Sequence, residues 1–179
     1  LYLYPHPSEI ITISFDQPML AETIIEDNIY LSGLAGLSME LIDETYVQIT
    51  RSGGYPANSK LFLTISNALM DTLGKTFDGN RDGDPSGEND ISTIEIITLL
   101  LGDYDKDNQI GSADLSSFQV GWSENNIANE LGPLLENQVD SAQFTVEPDG
   151  IYNIEDLMTF IRMWNYCDDN NCLEGILLL

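Results

Sequence analysis

The chain has 179 residues, with 30 Asp or Glu against 6 Lys or Arg and a formal net charge of −24. So acidic a surface repels the nucleic-acid backbone and anionic membrane faces. Its 42% hydrophobic content argues against disorder, and its length suits one or two domains with their own cores.

The acid is uneven. Residues 1–77 carry 9 Asp or Glu and 3 Lys or Arg, whereas residues 78–179 carry 21 and 3. In chain order, residues 1–100 read as short strands: Leu1–Tyr4, Glu9–Phe15, Asn28–Ser32, Ser38–Leu41, Tyr46–Thr50, Leu61–Ser66 and Ser92–Leu99. They are rich in Ile, Val, Thr, Tyr and Phe, and several alternate apolar with polar. Short strands at this spacing predict an antiparallel sandwich over residues 1–100.

Before the last of these strands sits Asp78-Gly-Asn80-Arg-Asp82-Gly83-Asp84. Oxygen side chains at Asp78, Asn80, Asp82 and Asp84 open like a calcium loop, since a hard cation takes six to eight oxygens at about 2.3–2.6 Å. Pro85 at position 8 and Asn89 at position 12 then break the pattern, and a solvated hairpin tip is the alternative.

Residues 101–179 contain one stretch twice, 42 residues apart. The copies are Asp103-Tyr-Asp105-Lys-Asp107-Asn-Gln-Ile110-Gly-Ser-Ala-Asp114 and Thr145-Val-Glu147-Pro-Asp149-Gly-Ile-Tyr152-Asn-Ile-Glu-Asp156, each followed by Leu-x-x-Phe-x-x-x-Trp. Alternate side chains can turn inward to a cation from a tight loop. The first loop offers Asp103, Asp105, Asp107, the Gln109 carbonyl and Asp114. The second offers Thr145, Glu147, Asp149, the Ile151 carbonyl, Asn153 and Asp156. Ile110 and Tyr152 at position 8 tie each loop to the core. Leu115, Phe118 and Trp122, like Leu157, Phe160, Ile161 and Trp164, fall on one helical face. The two apolar stripes are expected to pack on each other.

Cys167 and Cys172 follow the second helix. A zinc site is disfavoured, because four ligands are needed and the one histidine, His6, lies far off in sequence. The open alternatives are a short disulfide and two free thiols, the former implying an oxidising compartment.

The loop–helix duplication resembles the tandem dockerin-type repeat of bacterial secreted proteins, over about residues 101–166. The resemblance implies two Ca²⁺ sites and a cohesin-like partner docked on loop positions 10 and 11 and the following helix. Those positions are Ser112-Ala113 and Ile154-Glu155, unlike each other, and the linker containing Glu130-Leu-Gly-Pro133 is longer than the family pattern. Ile13-Ser-Phe-Asp-Gln-Pro-Met19, with Ser59–Ser66 and Asp71-Thr-Leu-Gly74, resembles the bacterial Ig-like domain of surface-layer proteins over about residues 8–99. That likeness implies a structural or adhesive module.

No catalytic motif accompanies these features. There is no Gly-x-Ser-x-Gly, His-Glu-x-x-His or phosphate loop, so the chain is expected not to be an enzyme. The expected fold is an all-β Ig-like sandwich (1–100) plus a small α domain of paired calcium loop–helix repeats (101–179) with a C-terminal strand. The expected role is a calcium-loaded structural or adhesion module, extracellular or at the cell surface. The chain reads as a mature or excised portion, with no initiator Met. Its apolar ends, Leu1-Tyr-Leu-Tyr4 and Gly175-Ile-Leu-Leu-Leu179, suggest head-to-tail self-assembly by strand donation. The alternative is an appendage that anchors a secreted protein to a cohesin-bearing scaffold.

Overall fold

A computed structural model describes residues 1–6, 8–85, 90–134 and 145–170. Among these residues seven strands are present: β1 (Tyr2–Leu3), β2 (Ile11–Ser14), β3 (Ile29–Leu31), β4 (Leu37–Asp43), β5 (Tyr46–Arg51), β6 (Lys60–Ile65) and β7 (Ser92–Thr98). Two α-helices follow, α1 (Ser112–Glu124) and α2 (Ile154–Asn170).

Alternation sets which face of each strand is buried. In β2, Ile11 and Ile13 are buried while Thr12 and Ser14 are exposed. β2 and β4 flank β5 in an antiparallel sheet of order β2-β5-β4. Ile11 and Met39 lie opposite Ile49, and Ile13 and Leu41 opposite Val47. Such cross-strand apolar pairs each contribute about 0.2–1 kcal/mol. The other sheet has the order β1-β7-β6-β3. There β3 runs antiparallel to β6, with Ile29 opposite Ile65 and Leu31 opposite Leu63.

The Ig-like sandwich plus α domain is not the architecture found. β1 pairs parallel with β7, Tyr2 opposite Ile97 and Leu3 opposite Thr98, so the four-stranded sheet is mixed. Periodicity marks where strands lie and which face is apolar, but carries no record of pairing direction. Nor do the helices form a separate α domain. The chain divides into one unit of Leu1, Ile10–Arg51 and Leu61–Ile96, and a second that joins Tyr2–Glu9 and Ser52–Lys60 to the chain from Ile97 onward. The paired residues Tyr2–Leu3 and Ile97–Thr98 therefore fall in the same unit as both helices, while the rest of β7 belongs to the first unit.

In that second unit, Phe118 of α1 meets Phe160 of α2 with ring centroids 5.1 Å apart. Ala57, Leu100, Leu101, Ile110, Leu131 and Val146 close around them. Leu115, Leu157 and Trp164 pack partly buried against this cluster, but Ile161 is 47% exposed. The inward stripe of α2 instead continues through Met163 and Cys167, at i+3 and i+7 from Phe160. Cys167 is disulfide-bonded. The other cysteine, Cys172, and the C-terminal strand expected at Gly175–Leu179 lie outside the described residues.

His6 is buried in this unit. Its Nδ1 lies 2.6 Å from Ser8 Oγ and accepts from the Ser8 backbone N–H at 3.1 Å. Desolvation lowers the imidazole pKa from its ordinary 6.5, partly opposed by the Glu130 backbone.

Candidate metal centres

The loop before α1 wraps its backbone around two buried carboxylates. Asp103 is 0% exposed and Asp114 is 1% exposed. Asp103 accepts from the backbone N–H groups of Asp107 and Asn108, at 3.2 and 2.9 Å. Asp114 accepts from Tyr104 at 2.7 Å, Asp105 at 3.4 Å and Gly111 at 2.8 Å. Asp114 lies in the first turn of α1, so its charge also complements the helix N-terminus. Asn108 provides the sharp turn at φ 67°, a conformation that Asn tolerates better than most residues.

Together these bonds bring carboxylate oxygens of Asp103, Asp105 and Asp114 within 4.8 Å of one another. Asp107 is exposed, and its carboxylate accepts from the Gln109 N–H at 2.8 Å, which folds the loop back on itself. Two unit charges at this separation repel by roughly 3 kcal/mol at an effective dielectric of about 20. Burial, opposed by the Asn108 N–H and reinforced by the Asp114 charge, pushes the Asp103 carboxyl up to about 6.

Three phenols of the same unit are tied to the backbone. Tyr4 Oη accepts from the Gly102 N–H at 3.1 Å, Tyr104 Oη donates to the Asn129 carbonyl at 2.9 Å, and Tyr152 Oη donates to the Phe118 carbonyl at 3.3 Å. Burial raises the pKa of all three, Tyr152 to about 12, so they stay neutral beside the carboxylates.

The loop before α2 is held by other groups. Asp156 is 1% exposed and accepts from Leu131 and Gly132, both at 2.8 Å, and from Asn153 at 2.6 Å. Asn153 in turn accepts from Glu155 at 2.7 Å and caps α2. Asp149 accepts from Ile151 at 2.8 Å. The carboxylate that grips the turn is Glu130, which accepts from the N–H groups of Asp149 and Gly150. Sequence reading placed Glu130 in a linker and missed it. Thr145 is buried, whereas Glu147 and Ile151 are exposed.

In the first unit, Asp78, Asp82 and Asp90 bring carboxylate oxygens within 4.8 Å. Asp78 accepts from the Gly83 N–H at 2.9 Å, and Asn80 and Asp82 accept from Asp82 and Asp84, both at 2.8 Å. Asp90, at position 13 and 0% exposed, joins the group one residue beyond Asn89, which breaks the loop pattern at position 12. Asn89 lies outside the described residues. Among the described residues, these two carboxylate groups are the clusters of metal-holding size.

No family model matches the chain, and no curated protein matches it. Among the described residues, no helix is long and apolar enough to cross a membrane.

Proposed function

We propose that this chain is a non-catalytic structural module of the extracellular space whose loop–helix pair is completed by calcium. The observation that carries the reading is the buried pair Asp103 and Asp114, with Asp105 beside them. Desolvated like charges are costly unless a proton or a cation is shared between them. An all-oxygen set drawn from Asp103, Asp105, Asp107, Asp114 and the Gln109 carbonyl suits calcium. Magnesium prefers a smaller octahedral shell that keeps several waters. The dockerin-type resemblance supports the same reading, and Asp78, Asp82 and Asp90 are proposed as a further site.

Titration calorimetry tests it. One calcium is expected in the Asp103 loop, and Asp105→Ala should weaken it. No heat of binding, or an unchanged affinity in Asp105→Ala, would refute the reading.

Docking on a cohesin-like partner is the second reading. It is favoured by the exposed row Ile154, Met158 and Ile161 along α2, which is apolar at i, i+4 and i+7. Head-to-tail strand donation has less support at the N-terminal end, where β1 already pairs with β7 of its own chain. Sedimentation in calcium separates the two: growth with concentration supports self-assembly, while a monomer that binds only an added cohesin supports docking.

A further inference from the structure

We infer that the loop of the second repeat is discontinuous in sequence: it opens with Glu130, Leu131 and Gly132, resumes at Pro148, and does not begin at Thr145. Six hydrogen-bond relations of the first loop are the basis. In the first loop, residue 1 (Asp103) accepts from the amides of residues 5 and 6, Asp107 and Asn108. Residue 5 accepts from residue 7. Residue 12 (Asp114) accepts from residues 2, 3 and 9, namely Tyr104, Asp105 and Gly111.

Each relation recurs in the second loop, with Glu130 in first place. Glu130 accepts from Asp149 and Gly150, residues 5 and 6. Asp149 accepts from Ile151. Asp156, residue 12, accepts from Leu131 and Gly132 in second and third place, and from Asn153 in ninth. The sixth residue has positive φ in both, 67° at Asn108 and 82° at Gly150. The eighth, Ile110 or Tyr152, is buried in both.

The two ends of the interruption meet. A Cβ built on Gly132 would lie 2.6 Å from Pro148 Cα. Just outside that point, Leu134 and Val146 form an antiparallel bridge, and the Glu147 N–H donates to the Pro133 carbonyl at 3.2 Å. Removing residues 133–147 on paper leaves Glu130-Leu-Gly-Pro148-Asp149 through Asp156, a loop of 12 residues like that from Asp103 to Asp114. Glu130 is thus a positioning residue: it sets the turn at Asp149–Gly150 that leads into Asn153, Asp156 and the start of α2. The equivalence rests on the backbone bonds and holds whether or not the loop takes a cation.

Amide hydrogen exchange on the full chain, in chelator, tests it in Glu130→Gln and Thr145→Ala. The Asp149 and Gly150 amides are read against those of Asp107 and Asn108 in the same sample, which removes any global loss of stability. Glu130→Gln should speed the first pair by about tenfold relative to the second, the loss expected for a hydrogen bond to a charged group. Thr145→Ala should leave the ratio unchanged. An unchanged ratio in Glu130→Gln, or an equal acceleration in Thr145→Ala, would overturn the inference.

Discussion

Replacing Asp103 by Asn separates a carboxylate that serves the fold from one that serves a cation. Two opposed effects are expected without metal. The substitution removes the repulsion with Asp114, worth roughly 3 kcal/mol at 4.8 Å. It also turns one acceptor oxygen into an NH₂ group, so one of the Asp107 and Asn108 amides loses a charged partner, a loss of about 1.5–3 kcal/mol. These nearly cancel, and the stability of the chelated protein should change by less than about 1 kcal/mol. In calcium the balance tips. Binding stabilises the native chain by RT ln(1 + [L]/Kd), about 2.7 kcal/mol at 100 times Kd, and a variant that no longer binds forgoes that amount. Urea denaturation of both proteins, in calcium and in chelator, reads the four stabilities. A loss in calcium that exceeds the loss in chelator by about 3 kcal/mol is expected. Equal losses in the two conditions would refute the reasoning and leave Asp103 as a structural carboxylate alone.

Three further outcomes follow from the second unit's core. Phe160→Ala empties a fully buried site against Phe118, Trp164 and Tyr104 and should destabilise by about 3–5 kcal/mol in urea. Gly102→Ala meets both a φ of +88° and the Phe160 ring at 3.1 Å, so a loss of about 1–3 kcal/mol is expected by the same assay. The buried neutral His6 has a folded pKa below its unfolded 6.5. Its contribution is therefore complete above 6.5 and is lost as pH falls toward the folded value, because the unfolded chain takes up the proton first. His6→Gln should remove that part of the slope, seen as a difference between the two stability–pH curves; superimposable curves would show that His6 carries no such linkage.

The sequence was most legible where one local pattern decides the outcome. All seven strands lie at or near their expected positions, because alternation in stretches such as Ile11–Ser14 is a property of the stretch itself. Both helices were legible from Leu115–Phe118 and Leu157–Phe160 for the same reason. What stayed hidden depends on partners far apart in the chain. Nothing in Tyr2–Leu3 announces that Ile97–Thr98 will run parallel beside it. Ile161 shares the apolar i, i+4 pattern yet faces outward, and Met163 takes the inward place, since a stripe fixes a helix face only to within about one residue on either side. In the second loop, Asp149 to Asp156 are contiguous in sequence, and their hydrogen bonds follow the spacing of the first loop. Counting back along the chain leads to Thr145, whereas the carboxylate that accepts from Asp149 and Gly150 belongs to Glu130, which no local pattern marks.

The second unit draws its residues from three separated lengths of chain, and this bears on how it can be handled in the laboratory. A fragment begun at residue 101 would carry both repeats, yet lack Tyr4, whose hydroxyl holds the Gly102 amide, and Ala57 from the core. It would leave the Gly102 amide unanswered and the base of the cluster uncovered. Such repeats are not a portable cassette. Assembly must also wait for closures across more than ninety residues, as between Tyr4 and Gly102, and chains dominated by such distant contacts fold slowly. Expression of the unbroken chain is therefore the route to a folded loop–helix pair.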